Sequence, residues 1–294
     1  YEVSLLSSQL AMPREGHMDA LMNIFACLKK HPSCSLVMDP VQVDVQQDNV
    51  PHTSWLNSLY GDGGEELPPK MPEPLGKPLQ VLAFVDASHA GEKLTHRSHT
   101  GTLIFMNNAL IEAFPKRQNT VETSTFGSEL VAGRVAMEKL RAHRTKLRLL
   151  GIPVEPISYM MCDNQSVVKS TGNAESTLNK KHNSICWHSL REAMAQGWLK
   201  MSWEWSEDNL ADLLTKSLPL GTRNNFMAHL CHQWKRPPEP EEGHRASKKR
   251  KQEERSQLAI AQRLACLHIA FSHNCTIHLT ARGPSRLHKQ REII

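Results

Sequence analysis

Between residues 79 and 117 the chain offers three apolar runs, VLAFVD, TGTLIFMN and ALIEAF. Turn-rich sequence separates them: ASHAGEKLTHRSH, then the Asn107-Asn108 pair. Runs of strand length with so little between them pair most directly as a three-stranded antiparallel start. A long helical segment follows. Ser124 is placed to cap it, Phe126, Leu130, Gly133, Met137, Leu140 and Leu147 recur at helical spacing, and Gly151-Ile-Pro153 stops it. Beyond it PISYMMCD reads as a strand, HNSICWHSLREAMAQG as a helix, LKMSWEW as a strand, and Ser206 through DNLADLLTKSL as a last helix. This β-β-β-α-β-α-β-α order puts a crossover helix between the third and fourth strands, so the sheet must contain a parallel pair. Residues 79–232 are expected to form one α/β unit.

The flanks read differently. Residues 1–37 hold one helical pattern, GHMDALMNIFACLKK, whose broad apolar face (Met18, Leu21, Met22, Ile24, Phe25, Leu28) needs a partner. From 38 to 78 the density of Gly and Pro precludes long regular elements, and a linker or loose connection is expected. Residues 233–294 include PPEPEEGHRASKKRKQEER and are expected to be a charged, largely disordered tail. Its KKRK run, Lys248 to Lys251, has the composition of a nuclear localisation signal or nucleic-acid patch, and equally of plain solvated tail. Cys266, His268, His273, Cys275 and His278 match no ordinary zinc-finger spacing.

Composition excludes more than it selects. A formal charge of +5 over 294 residues permits a polyanionic partner without requiring one. The seven cysteines (Cys27, Cys34, Cys162, Cys186, Cys231, Cys266, Cys275) form no CxxC pair, so reduced thiols in a cytosolic or nuclear protein are expected and a disulfide framework is not. No run approaches the roughly 18 apolar residues that a membrane span needs. The N-terminus YEVSLLSSQL lacks the basic flank and cleavage site of a signal peptide. Because the chain opens on Tyr, it is expected to be a fragment of something longer.

Asp86 poses the functional question, because it places a charge directly after the buried-strand pattern LQVLAFV. Such a carboxylate either caps a turn or joins others around a cation or reacting centre. Three further acids occupy comparable positions: Glu129 early in the long helix, Asp163 at the end of PISYMMCD, and Asp212 within NLADLLTK. If the first and fourth strands are parallel neighbours, Asp86 and Asp163 emerge at one sheet edge, and two helices bring Glu129 and Asp212 to it. Four carboxylates so close repel unless cations neutralise them. Hard oxygen ligands suit Mg²⁺ or Mn²⁺, and a pair of such ions activates water and stabilises the leaving oxygen in phosphodiester hydrolysis.

In order, FVDASHAG, HRSHTG, TVETSTFGSELVA, YMMCDNQSVV, LNKKHNSICWHSLREA and NLADLLTKSLP resemble the ribonuclease H domain of Ty1/copia-type retrotransposon polyproteins. The upstream SLLSSQLAMPREGHMDALMNIFACLKKHPSCSLVMDP similarly resembles the end of their reverse transcriptase region, so the likeness runs from about residue 3 to 230. It implies a ribonuclease H-like α/β fold: a five-stranded mixed sheet flanked by helices, with a helical N-terminal extension that is the remnant of the reverse transcriptase region. It implies Asp86, Glu129, Asp163 and Asp212 as the catalytic, metal-binding set for two Mg²⁺ or Mn²⁺ ions. The activity implied is endonucleolytic cleavage of the RNA strand of RNA/DNA hybrids. The implied partners are the hybrid, the upstream reverse transcriptase and other polyprotein segments, in a cytoplasmic virus-like particle, with a nuclear location if the KKRK run is a signal. The chain departs from the pattern at Ser88-His89, where copia-type sequences commonly carry an acid and a Trp. It departs again in EWSEDNLAD, which lacks the histidine that cellular ribonucleases H carry shortly before the last Asp, and it has no YxDD polymerase motif.

A hybrid would be held through its phosphates and the RNA 2′-hydroxyls. Ser128 beside Glu129, and Asn164 and Gln165 beside Asp163, are candidates to bond sugar or phosphate, with helix capping as the competing account. Arg141, Arg144 and Arg148 share a helix face, and Lys180, Lys181 and His182 open the next helix; a solvated charged face competes in each case. Trp187, Trp198, Trp203 and Trp205 read as core or sheet packing rather than base-stacking platforms. The alternative for the whole chain is a catalytically silent nucleic-acid-binding or interaction module derived from a degenerate retroelement. The four intact acids favour the enzyme; the tail and missing polymerase core favour the relic.

Overall fold

A computed structural model describes residues 1–61, 63–92, 95–178 and 181–232. The tail, with its KKRK run and Cys/His patch, and Lys180 lie outside the described residues. Helices α1 (Glu2–Ser7) and α2 (Glu15–Lys30) and the short strand β1 (Ser35–Leu36) come first. The 38–78 stretch contains only single helical turns, among them α3 (Asn57–Tyr60). Then follow β2 (Val81–Ser88), β3 (His99–Met106), β4 (Ala109–Arg117), α4 (Thr125–Leu149), β5 (Ser158–Cys162), α5 (Gln165–Gly172), α6 (Ser184–Ala195) and β6 (Leu199–Trp203). The described chain ends with α7 (Asp212–Thr215), α8 (Leu220–Leu230) and β7 (Cys231–His232).

The main sheet has the order β4-β3-β2-β5-β6. β2 pairs antiparallel with β3 and β3 with β4, while β2–β5 and β5–β6 are parallel, as the crossover required. This is the ribonuclease H-like five-stranded mixed sheet flanked by helices. β2 is central and apolar on both faces, and its alternation divides two cores. Val81, Ala83 and Val85 pack in the larger core with Leu130, Ala136 and Leu140 of α4, whereas Leu82 joins Leu103, Phe105 and Leu230 in the smaller one. Asp86 continues the even-numbered series of Leu82, so it points from the face that α7 and α8 cover.

Local chemistry explains the element ends. The Ser124 hydroxyl accepts the Gly127 N–H at 3.3 Å and starts α4, and Gly151 ends it with a φ of +71°, a left-handed conformation suited to glycine. Two elements differ from the sequence expectation. An extra helix, α5, is capped by Asn164, whose side chain accepts from the N–H groups of Ser166 and Val167. The single helix expected from Ser206 through Leu218 is a turn followed by the single turn of α7, and the longer α8 begins beyond it. The buried Asn209 side chain donates to the Val85 carbonyl and accepts the Ala211 N–H, which holds the turn, and Pro219 sits at the N-cap of α8.

The N-terminal segment is tied to the last described residues, because β1 pairs antiparallel with β7, Ser35 opposite His232. Gln80 exchanges hydrogen bonds with the Val43 backbone, and the Asn107 amide donates to the Pro40 carbonyl. The apolar face of α2 finds cover for Met22, while Phe25 and Leu28 stay exposed. All five described cysteines are free, and among the described residues no helix is long and apolar enough to cross a membrane.

Candidate active site

The parallel register fixes the first two acids. Val85 pairs with Cys162, so Asp86 and Asp163 are next in line at the carboxyl ends of neighbouring strands. Asp86 is buried, its carboxylate accepts the Thr215 hydroxyl, and Asp163 Oδ2 accepts the Ser206 hydroxyl at 2.9 Å. Asp212 is the first residue of α7 rather than a residue inside a longer helix, and the Asn209 turn aims it at the same edge. Carboxylate oxygens of Asp86, Asp163 and Asp212 lie within 4.8 Å of one another. Glu129, in the second turn of α4, reaches the cluster from the other side: its carboxylate, Asp163 and the Cys162 thiol form a second set within 4.8 Å.

Residue 216 was not singled out by sequence. Lys216 Nζ lies 2.7 Å from Asp212 Oδ1, 3.2 Å from Asp86 Oδ1 and 3.9 Å from Asp163 Oδ2. Its spacing of four from Asp212 was the available signal, but within a helix such a pair reads as an ordinary surface contact.

Burial and mutual repulsion dominate the electrostatics. Burial raises the Asp86 carboxyl above its ordinary value against the pull of Lys216 and the Thr215 hydroxyl. Burial, then the charges of Asp86 and Asp163, push Glu129 well above the carboxylate range. Burial and Asp86 push Asp212 up to about 6. Burial opposes the Lys216 ammonium, but Asp86, Asp212 and Asp163 outweigh it and raise its pKa. The Glu129 carboxylate accepts the Ala87 N–H, while its buried Oε2 has no hydrogen-bond partner. Clustered hard oxygens with one orphaned buried acceptor fit a divalent cation of the Mg²⁺ or Mn²⁺ type. The Cys162 thiol, held well above its usual pKa by burial, is a poor ligand for such an ion.

Asp86, Glu129 and Asp163 face a cleft of about 950 Å³, lined also by His89, Asn164, Gln165 and Trp205. Trp205 was expected to pack inside; it is 61% exposed, with its ring 4.5 Å from that of Trp203. Trp187 and Trp198 are buried as expected. Asn164 and Gln165 do reach the cleft, although the Asn164 side-chain oxygen is committed to capping α5. Ser128 does not: it is fully buried, and its hydroxyl donates to the Thr125 carbonyl at 2.9 Å.

The three arginines do not form one exposed face, although Arg141 itself is exposed. Arg144 is fully buried, with its guanidinium on Glu65 at 2.7 Å and on the Glu155 and Pro156 carbonyls. Arg148 binds the same Glu65, and Arg141 lies over the Trp198 ring at 5.2 Å. Lys181 and His182 are exposed, His182 Nε2 being 3.3 Å from Glu122 Oε2.

The sheet order and the acids at the ends of its central strands define a ribonuclease H-like α/β protein. No family model matches the chain. Its homologues are retrovirus-related Pol polyproteins of plant copia-type transposons. It is 24% identical over 230 residues to that of transposon RE1 from Arabidopsis thaliana, which covers 78% of this chain and 13% of the relative. It is 30% identical over 152 residues to that of transposon TNT 1-94 from Nicotiana tabacum, covering 51% and 11%. The chain thus spans only about an eighth of the length of these relatives. Among solved structures, LC11-RNase H1 in complex with an RNA/DNA hybrid aligns over 46% of this chain and 94% of its own, with 15% identity and a TM-score of 0.37. The N-terminal ribonuclease H domain of rv2228c from Mycobacterium tuberculosis, fused to maltose binding protein, aligns over 51% and 94%, with 14% identity and a TM-score of 0.35.

Proposed function

We propose that this chain is a metal-dependent endoribonuclease that hydrolyses the RNA strand of RNA/DNA hybrids, working within a retrotransposon Pol polyprotein alongside its reverse transcriptase. The observation that carries the reading is the convergence of Asp86, Asp163 and Asp212 within 4.8 Å at the open end of the parallel strands, with Glu129 beside them. A structural cluster would have no reason to bury Asp86, Glu129 and Asp212 around Asp163, where burial and mutual repulsion raise the pKa values of the three buried acids.

Asp86, Glu129, Asp163 and Asp212 would hold two divalent ions. Ions so held supply a water nucleophile at neutral pH and stabilise charge on the leaving oxygen. The chain itself orients and anchors. Thr215 and Ser206 fix the Asp86 and Asp163 carboxylates by hydrogen bonds, so the ligand set is preorganised before substrate arrives. Gln165, the Asn164 amide and Trp205 all line the cleft, where a sugar-phosphate strand and a base can be met.

The test is cleavage of labelled hybrid, duplex DNA and duplex RNA by the purified chain in Mg²⁺, Mn²⁺ or EDTA. The expected result is cutting of the hybrid's RNA strand alone, absent in EDTA and abolished by Asp86→Asn, while hybrid binding survives because affinity comes from backbone contacts. Hybrid bound but left uncut in both metals by a folded protein would instead make the chain a silent binding module.

A further inference from the structure

The acid cluster carries a cation of its own. Lys216 Nζ contacts the same Asp86, Asp163 and Asp212 carboxylates whose oxygens lie within 4.8 Å of one another. Two of these oxygens have hydroxyl partners: Asp86 Oδ2 accepts Thr215 and Asp163 Oδ2 accepts Ser206. Lys216 touches the other Asp86 oxygen, Oδ1, and the Oδ1 of Asp212. The orphaned Glu129 Oε2, buried in the same cluster, shows that this one ammonium does not satisfy the site.

Two features suit Lys216 to leaving. It follows the last residue of α7, where its N–H donates to the Asp212 carbonyl at 3.0 Å, so its backbone is anchored beside the cluster. Its side chain, by contrast, is 39% exposed and lines the open cleft, so the ammonium can swing outward on its flexible four-carbon stem. Resting on the metal-site reading above, we propose that Lys216 is an internal counter-ion that balances the metal-free cluster and competes with divalent cations for its carboxylates. Ion binding is then coupled to withdrawal of the ammonium into the cleft, where it faces the phosphates of a bound strand. Metal and substrate help each other: the ion releases Lys216, and a phosphate gives it a new partner.

The experiment titrates Mn²⁺ alone, by calorimetry and by thermal melting, into the full chain, Lys216→Gln, Lys216→Arg and Asp86→Asn. Lys216→Gln should melt lower than the parent in EDTA yet bind Mn²⁺ about tenfold more tightly, because no cation must be evicted. Lys216→Arg should bind no more tightly than the parent. A lysine that only supported the fold would leave Mn²⁺ affinity unchanged or weaken it when removed, and that result overturns the proposal. If Lys216→Gln is unfolded without metal, refolding by Mn²⁺ supports the proposal and failure to refold overturns it. Failure of the proposal alone would appear as equal affinity in parent and Lys216→Gln with binding lost in Asp86→Asn. Failure of the underlying metal-site reading would appear as no saturable binding in any of the four proteins.

Discussion

Gly101 lies so close to Thr215 across the sheet that a Cβ on the glycine would sit 2.7 Å from the threonine Cγ2. The same Cβ would meet Leu214 Cβ at 2.9 Å and the Ala211 carbonyl at 3.0 Å. Gly101 also pairs with Asp86 in the β2–β3 register, so the missing side chain is what lets α7 press Thr215 and Asp212 onto Asp86. Gly101→Ala should cost about 1–3 kcal/mol of stability through overpacking. It should also lower hybrid cleavage tenfold or more by lifting α7 off the acids. Thermal melting and initial rates read both effects; unchanged values would show that α7 yields without consequence.

The acid cluster's share of the stability should fall with rising pH when no metal is present. The Asp212 carboxyl is raised from 3.8 to about 6 in the fold, and Asp86 and Glu129 move the same way. A raised acid pKa means that the fold binds the proton more tightly than the unfolded chain does. The stabilisation is complete below the unfolded pKa and is lost as pH rises through the folded one. In EDTA, this part of the stability should therefore be lost as pH rises from 4 to 7, opposed at the acid end by Glu65, Glu92 and Glu112, whose pKa values are lowered in the fold. Asp212→Asn should remove about 1 kcal/mol of that loss, a figure reduced for water in the open cleft. Mg²⁺ should restore stability increasingly above pH 6, where the carboxylates are free to bind it. A pH dependence of melting in EDTA that Asp212→Asn leaves unaltered would contradict the repulsion described for these acids.

What could be read from sequence depended on whether the cause was local. Asp86 and Asp163 were legible because each directly follows an apolar run that reads as a buried strand; the crossover helix required a parallel pair in the sheet, and that these two strands form it is what the structure adds. The ends of α4 were legible for the same reason, Ser124 and Gly151 acting within a turn of themselves. The α7 region was misread because an apolar helical pattern concealed the turn held by Asn209, whose partner Val85 lies 124 residues away. Arg144 read as exposed charge because its partner, Glu65, comes from the Gly- and Pro-rich stretch 79 residues earlier. Ser128 was placed by adjacency to Glu129, but successive helix positions face different ways.

Arg144 should therefore matter for stability and not for catalysis. Fifteen residues separate it from Glu129 on one helix, roughly 22 Å of rise. Arg144→Ala leaves Glu65 and the Glu155 and Pro156 carbonyls without their guanidinium, and breaking a buried pair in this way should cost about 3–5 kcal/mol. Arg148→Ala, at a partly exposed partner of the same Glu65, should cost less than half as much. Urea unfolding gives the stabilities, and cleavage rates per folded molecule should match the parent. A folded Arg144→Ala protein with weakened hybrid binding would return the arginine to the substrate face.

Trp205 is the residue whose surroundings most favour a substrate contact outside the acid cluster. It is 61% exposed at the cleft, and its ring lies 4.5 Å from Trp203, whose Nε1 donates to the Asp163 carbonyl at 3.2 Å. The indole is thus braced against a residue bonded directly to the Asp163 backbone, next to where the proposed function would place the scissile strand. An exposed aromatic held in place by another is suited to stacking on a nucleobase, a contact worth about 1–3 kcal/mol per base. Trp205→Ala should raise KM for the hybrid about tenfold and leave kcat within about twofold, because stacking holds substrate and transition state alike. Trp205→Phe should recover most of the loss, since any aromatic face can stack. Steady-state kinetics on a hybrid of fixed sequence separates the possibilities: a fall in kcat at unchanged KM would assign Trp205 to bracing Asp163 instead of binding the strand.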